Sequence, residues 1–174
     1  LGNWKFIELD VAVESGSAFD YGGIPGKIVA TYTATTQNNT GLLTVTAGKM
    51  KTTDLGYTIS AGVKIITYIG GIPVDPQPQE EQLDFEFPPA SAICDYRQAG
   101  SDSLYFPNGF LFDIPDTNGQ QLPGASDPAG ARFTITGDIL KIQSSVNRST
   151  VVRQGNDDYE VTQKVDGTAT FVRQ

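Results

Sequence analysis

Acidic side chains are the residues of this 174-residue chain whose spacing suits chemistry most directly. Asp84 and Glu86 are two positions apart in an extended segment, which separates their Cα atoms by about 6.5 to 7 Å on one face of a strand. Two carboxyl groups at such a distance could act as a glycosidase pair. The acids alternate with Leu83, Phe85 and Phe87, a pattern typical of a strand with one buried face. The pattern therefore favours a solvent-facing pair, and a carboxylate-based hydrolase is the weaker alternative.

Acidic residues also cluster in two segments that read as loops. Asp157 and Asp158 are adjacent, and Asp113 and Asp116 flank Pro115. Carboxylate oxygens are calcium ligands in proteins, but the EF-hand spacing of such ligands is missing here. The sequence therefore predicts no metal site, while leaving calcium binding by these loops open.

Histidine is absent from the sequence, and Cys94 is its single cysteine. These counts exclude a triad with histidine, an imidazole metal site and a cysteine-rich zinc site. Cys94 has no histidine base to activate it, so we expect a small core residue. Phosphate-loop and Gly-x-Ser-x-Gly motifs are also missing. The sequence predicts a non-catalytic protein with no catalytic residues and no cofactor.

Length, charge and hydropathy limit the organisation and the partners. A chain of this length fits one domain, residues 1–174. The formal net charge of −8 makes a nucleic-acid backbone an unfavourable partner. No run of about 18 apolar residues occurs, so no transmembrane segment is predicted.

The elements that must position any site are strands. Residues 4–13 predict the first strand, and its apolar positions switch faces between Phe6 and Ile7, which predicts a bulge or a sharp bend there. The alternating segment at 83–87 predicts another strand, which Pro88-Pro89 should end. No helical periodicity extends over 11 or more residues. These patterns predict an all-β protein.

Several further segments have strand or loop character. Residues 27–36 and 41–50 are predicted to form a hairpin across the loop 37–40. Residues 57–69 predict another strand. The Ser- and Gly-rich segment 15–26 is predicted to be a loop.

Two turn signals near the C-terminus predict hairpins with defined registers. Gly137-Asp138 and Asp166-Gly167 each supply two residues suited to a tight turn. The predicted cross-strand pairs are Phe133 with Ile142, Ile135 with Leu140, Val161 with Val172, and Glu160 with Arg173. In total, eight to ten strands in mostly sequential hairpins predict an antiparallel up-and-down β-barrel, with a β-sandwich as the alternative.

Motifs at both ends of the chain resemble a known family. Gly2-Asn3-Trp4 opens the first strand, and Phe171-Val172-Arg173 closes the last. This combination resembles the lipocalin-like (calycin) superfamily, and the segment 133–140 is similar to bacterial exported lipocalin-like domains. The resemblance implies a structural barrel plug of Gly2, Trp4 and Arg173, with the guanidinium packed over the indole. A planar guanidinium prefers the face of a tryptophan ring.

The resemblance also implies a function. We expect a small apolar or amphipathic ligand to bind inside the barrel of an exported, extracytoplasmic bacterial protein, with a lipid anchor as one option. The segments 15–26 and 115–132 are expected to flank the opening. The alternative is a cell-surface structural or protein-interaction module with a packed, ligand-free interior. The aromatic residues expected to point inward and line the barrel are Tyr32, Tyr68, Phe85, Phe87, Tyr105 and Phe112.

Overall fold

The protein is all-β, as the sequence predicts. The computed structural model describes residues 1–109, 112, 114, 128–154 and 157–174. Within these residues the regular elements are strands joined by turns and bends. No helix of the described part is long and apolar enough to cross a membrane.

In the described part of the chain, eleven strands make up one antiparallel sheet. Their residues are rich in Val, Ile, Thr and aromatic side chains, which suit a half-buried pleated surface. In chain order they are β1 (Gly2–Tyr21), β2 (Ile24–Thr35), β3 (Gln37–Thr46), β4 (Lys49–Ile69), β5 (Ile72–Pro73), β6 (Gln79–Asp95), β7 (Arg97–Gln98), β8 (Ser103–Phe106), β9 (Ala129–Thr136), β10 (Ile139–Gln154) and β11 (Asp157–Arg173).

The long strand β1 is the centre of the sheet. It pairs with β11 along one edge and with β2 and β3, placed end to end, along the other. β4 pairs with the far edges of β2 and β3, and its own far edge pairs with β6. From β11 the order continues through β10, β9 and β8 to β7. Neighbouring strands are therefore mostly neighbours in the chain, as in a meander.

The predicted bulge in the first strand is confirmed. The pairing of β1 with β11 shifts register between Phe6 and Glu8, and Ile7 is exposed. Phe6 before the shift and Leu9 after it are both buried. One extra residue thus returns the apolar side chains to the same face, which a strict two-residue period could not do.

The hairpin predicted across residues 37–40 is wrong, because β2 and β3 do not pair with each other. The register against β4 shifts twice between Gln37 and Leu42. Within this stretch Asn38 and Gly41 have φ angles of 52° and 108°. The chain bends there without reversing, because β1 and β4 are long enough to pair with both segments.

The turn at Gly137-Asp138 is confirmed together with its register. β9 and β10 pair Phe133 with Ile142 and Ile135 with Leu140. Gly137 has a φ of 60°, a conformation that glycine adopts at low cost.

The turn predicted at Asp166-Gly167 is wrong, because both residues lie inside β11. Gly167 pairs with Val11 on one side and with Ser144 on the other. The expected pairs of Val161 and Glu160 are therefore also wrong. Val161 lies opposite residues of β1 and β10, and Glu160 lies opposite Val151. Turn propensity is local, and two flanking strands that satisfy the backbone hydrogen bonds override it.

Two other local predictions are wrong because pairing with neighbouring strands overrides local loop and turn propensity. The segment 15–26 is a continuation of β1 into β2 with a tight turn at Gly22-Gly23, so it is not a loop. Pro88-Pro89 does not end its strand, since β6 continues to Asp95. The prolines lie where the β4–β6 register shifts, a position at which the missing N–H is tolerated. The segment 115–132 is also expected to be a loop. Its residues 115–127 lie outside the described residues, and its residues 129–132 belong to β9.

One face of the sheet carries the core. Along β1 the buried residues after the bulge are Leu9, Val11 and Val13, and along β4 they alternate from Leu55 to Val63. The largest side chains that are almost fully buried are Trp4, Tyr57, Phe6, Phe106 and Phe171. We call this the inner face, and the opposite, more exposed side the outer face.

The bend between β2 and β3 depends on Gly41. A Cβ added there would lie 2.5 Å from the backbone Cα of Leu55, and the φ of 108° is unfavourable for any other residue. We expect Gly41→Ala to lower the free energy of unfolding by about 3 kcal/mol.

Gly62→Ala is the matched control, because a Cβ there would meet no atom within 4 Å. Urea unfolding followed by circular dichroism measures both variants. Equal stability of the two variants would contradict the role of Gly41.

Candidate functional site

The structure brings Trp4 and Arg173 together. They are direct cross-strand neighbours in the β1–β11 pair, and the guanidinium carbon lies 4.6 Å from the centroid of the indole ring. Trp4 is 1% exposed, so the arginine covers one face of a buried ring. Arg173 Nε also lies 3.6 Å from Asp138 Oδ1 in the β9–β10 turn. This contact links β1 and β11 to the β9–β10 hairpin.

Gly2 adjoins this pair. Its φ is 139°, and a Cβ there would lie 3.9 Å from both the Arg173 guanidinium and the Trp4 indole nitrogen. The space alone would admit a methyl group, so the backbone conformation is what requires glycine at this position.

An aromatic cluster closes the inner face next to this end. Phe112 is buried and packs against Phe6 and Phe171, with ring centroids 5.6 and 6.0 Å apart in the pairs Phe6–Phe112 and Phe112–Phe171. Phe87 stacks on Tyr57 at 5.1 Å. Of the expected lining residues, Phe87 and Phe112 therefore take part in ring packing, each contact adding about 0.5 to 1.5 kcal/mol beyond burial.

Two other expected lining residues lie farther along the inner face. Tyr32 of β2 is 3% exposed and pairs with Val13. Phe85 of β6 pairs with Ile59 and is half-buried. Both share a face with the core, as expected from the sequence.

The remaining two expected lining residues lie on the outer face. Tyr68 alternates with the inward positions of β4 and pairs with Lys27. Tyr105 is 40% exposed, whereas its neighbours Leu104 and Phe106 are buried. The inward orientation predicted for these two tyrosines is wrong, because strand parity depends on pairing partners that aromatic character does not reveal.

The inner face changes character from one end to the other. Beyond the aromatic cluster comes a row of Leu9, Ala169 and Ile142, and then a row of smaller side chains at Val11, Gly167 and Ser144. Val13, Val165 and Val146 follow. The next row, Ser15, Gln163 and Arg148, is polar, and it is followed by Ser17, Val161 and Thr150. This change from apolar to polar side chains is not among the predictions made from the sequence. It is visible in β1, where the inward positions run from Leu9 through Val11 and Val13 to Ser15.

Apolar side chains at the polar end of the inner face are only partly covered. Ala30, Ile65 and Val146 are half-buried and pack against the core. The Oγ of Ser15 is buried and has no hydrogen-bond partner in the described part of the chain. This end, which we call the rim, combines accessible apolar surface with polar groups.

The carboxylate pair considered for catalysis lies on the solvent side. Asp84 accepts hydrogen bonds from Ser60 Oγ at 2.7 Å and from Gln82 Nε2 at 3.1 Å. These bonds lower the pKa of the Asp84 carboxyl. Glu86 shares this exposed face. Asp84 is therefore not poised as a general acid, since a proton donor at neutral pH needs a raised pKa.

No cluster of three or more metal-binding side chains occurs among the described residues. Asp113 and Asp116 lie outside them, and so do the side chains of Asp157 and Asp158. The calcium alternative therefore stays a prediction.

Comparisons with known proteins add no relative. No family model, curated protein or solved structure matches the chain.

Trp4 and Arg173 should be coupled in stability. We expect Trp4→Ala to lower the free energy of unfolding by about 3 to 5 kcal/mol, because it removes a buried ring. Arg173→Ala should cost about 0.5 to 1 kcal/mol through the lost cation–π contact. Urea unfolding of both single variants and the double variant measures the coupling.

Arg97→Ala in β7, an exposed arginine, is the control and should change stability by less than about 0.5 kcal/mol. Strict additivity of the Trp4 and Arg173 substitutions would show that the two side chains do not stabilise each other.

The thiol of Cys94 should be unreactive in the folded protein. Burial raises its pKa from 9.0 to about 11, so at pH 8 the folded chain holds about a hundredfold less thiolate than the unfolded chain. We expect alkylation by iodoacetamide to be slower in the native protein by about that factor, and to accelerate as the pH rises toward 11. Equal rates in native and guanidinium-unfolded protein at pH 8 would contradict this expectation.

Proposed function

We propose that this protein is a non-catalytic binding protein of the lipocalin-like type. Its sheet closes into an up-and-down barrel, and the rim of the inner face takes a small apolar or amphipathic molecule. The protein acts outside the cytoplasm of a bacterium, in keeping with the exported domains that its terminal motifs resemble.

The strand order supports closure of the sheet. One branch runs from β1 through β2, β3 and β4 to β6, and the other runs through β11, β10, β9 and β8 to β7. Only Tyr96 separates β6 from β7 in the chain. The two branches thus meet in one continuous segment of the chain. At this junction the ring centroids of Tyr96 and Phe106 are 6.5 Å apart. A sheet whose two ends share a segment removes most of its free edge.

The gradient along the inner face is the observation that carries the binding proposal. Buried aromatic rings are concentrated at one end, and a polar row lies toward the other beside the half-buried Ala30, Ile65 and Val146. Binding sites for small molecules are mostly apolar with a few polar groups that orient the ligand. Ser15, Gln163 and Arg148 would face the polar part of an amphipathic molecule, while Ile65 and Val146 would contact its apolar part.

A surface interaction module with a packed interior is the second candidate. The tips of the β1–β2 and β4–β5 hairpins are adjacent, because the N–H of Gly70 donates to the carbonyl of Pro25 at 2.9 Å. Tyr21, Ile24 and Ile72 expose 64%, 47% and 71% of their surface there. Neighbouring exposed apolar residues favour contact with another surface.

Titration with a fluorescent fatty-acid analogue tests the binding proposal. We expect the wild-type protein to bind the probe, and Val146→Glu to weaken binding by at least about tenfold, since it puts a charge among the apolar side chains of the rim. Val151→Glu is the matched control, because Val151 lies on the outer face and is 65% exposed.

Ala30→Phe serves as a second variant that narrows the rim without adding charge, and circular dichroism verifies the fold of each variant. Absence of probe binding, or equal losses in Val146→Glu and Val151→Glu, would reject the proposal in favour of the packed interior.

A further inference from the structure

The outer face carries a trough of about 710 Å³ across five strands. The buried residues Val11, Leu104 and Ala131 contribute to its lining, but most of the lining residues occupy the alternate, outward positions of the strands. The trough therefore lies on the opposite side of the sheet from the rim. It is therefore separate from the site proposed above.

Polar side chains form one straight row along the trough. The pairings of β1, β11, β10, β9 and β8 place Asp10, Thr168, Gln143, Arg132 and Ser103 side by side, one from each strand. With strands about 4.8 Å apart, the row is roughly 19 Å long. Hydrogen-bonding groups thus repeat once per strand, over a length that a short oligomeric ligand could span.

Small residues give the trough its depth. Ala12, Gly130 and Ser145 line it beside the polar row. Tyr105 lies opposite Gly130 in the β8–β9 pair and is exposed, so an aromatic side chain adjoins the trough without being part of its lining. Beyond Ala12 a second depression of about 360 Å³ continues toward β2 and β4.

The charges in the trough and directly beside it are nearly balanced. Asp10 accepts a hydrogen bond from Thr35 Oγ1 at 2.6 Å, and Asp166 accepts one from Ser145 Oγ at 2.6 Å. The Ser145 bond lowers the pKa of Asp166, so that carboxylate remains an acceptor at neutral pH. Arg132 lines the same trough, and Lys164 Nζ lies 3.3 Å from Asp166 Oδ2. Two carboxylates disfavour a phosphate or nucleic-acid ligand, and the two cations disfavour a cationic one.

We propose that the trough binds a neutral oligosaccharide. Hydroxyl groups both donate and accept hydrogen bonds, which suits a row of carboxylate, amide, guanidinium and hydroxyl side chains. The apolar face of a sugar ring can lie on the exposed ring of Tyr105, since aromatic side chains combine a flat apolar surface with a polar tip. The spacing of the strands resembles the repeat of linked pyranose rings, so successive sugars meet successive strands.

Isothermal titration with cellohexaose, maltohexaose and chitohexaose tests the proposal. We expect at least one of them to bind, and Gln143→Ala and Tyr105→Ala each to weaken that binding about three- to tenfold. Exposed residues outside the trough provide the matched controls Gln79→Ala and Tyr21→Ala, which should leave binding unchanged.

Three results would overturn the proposal. They are no binding of any hexasaccharide at millimolar concentration, equal losses in the trough variants and their controls, and competition between the sugar and the fatty-acid probe. The last result would put the sugar at the rim. Failure of the fatty-acid probe to bind the wild-type protein leaves the trough proposal intact, because the two sites lie on opposite faces.

Discussion

One extra residue in β1 decides which side chains of this protein are buried. Without the bulge at Ile7, Leu9, Val11 and Val13 would face away from Trp4 and Phe6, and no single core could bury both groups. Because β1 pairs with β2, β3 and β11, the parity it sets extends to both sides of the sheet. The division into inner and outer faces depends on this one irregularity.

The two faces perform different physical tasks. The inner face removes aromatic and aliphatic surface from water, which drives folding. The outer face carries hydrogen-bonded acids and hydroxyls that need no burial. Both faces are built from transverse rows, in which one residue from each strand meets its neighbours. The rim at the end of the inner face and the trough on the outer face are therefore products of the same strand registers.

Structural support is concentrated away from the rim. Trp4, Arg173 and the ring cluster around Phe6 and Phe112 lie at one end of the inner face. The half-buried residues of the rim lie at the other end, where Ser15 has a buried oxygen without a partner in the described part of the chain. Such a division leaves a binding surface with fewer packing constraints, while the opposite end maintains the fold.

The sequence alone determined the all-β class, the bulge after Phe6, the register of the Gly137-Asp138 hairpin and the lack of histidine chemistry. These features depend on local alternation, on two-residue turns and on residue types. Only the tertiary structure decided that Asp166-Gly167 stays extended and that Tyr105 faces outward. It also decided which polar residues form the trough, because rows across a sheet join residues up to about 160 positions apart in the chain, and only long-range register brings them together.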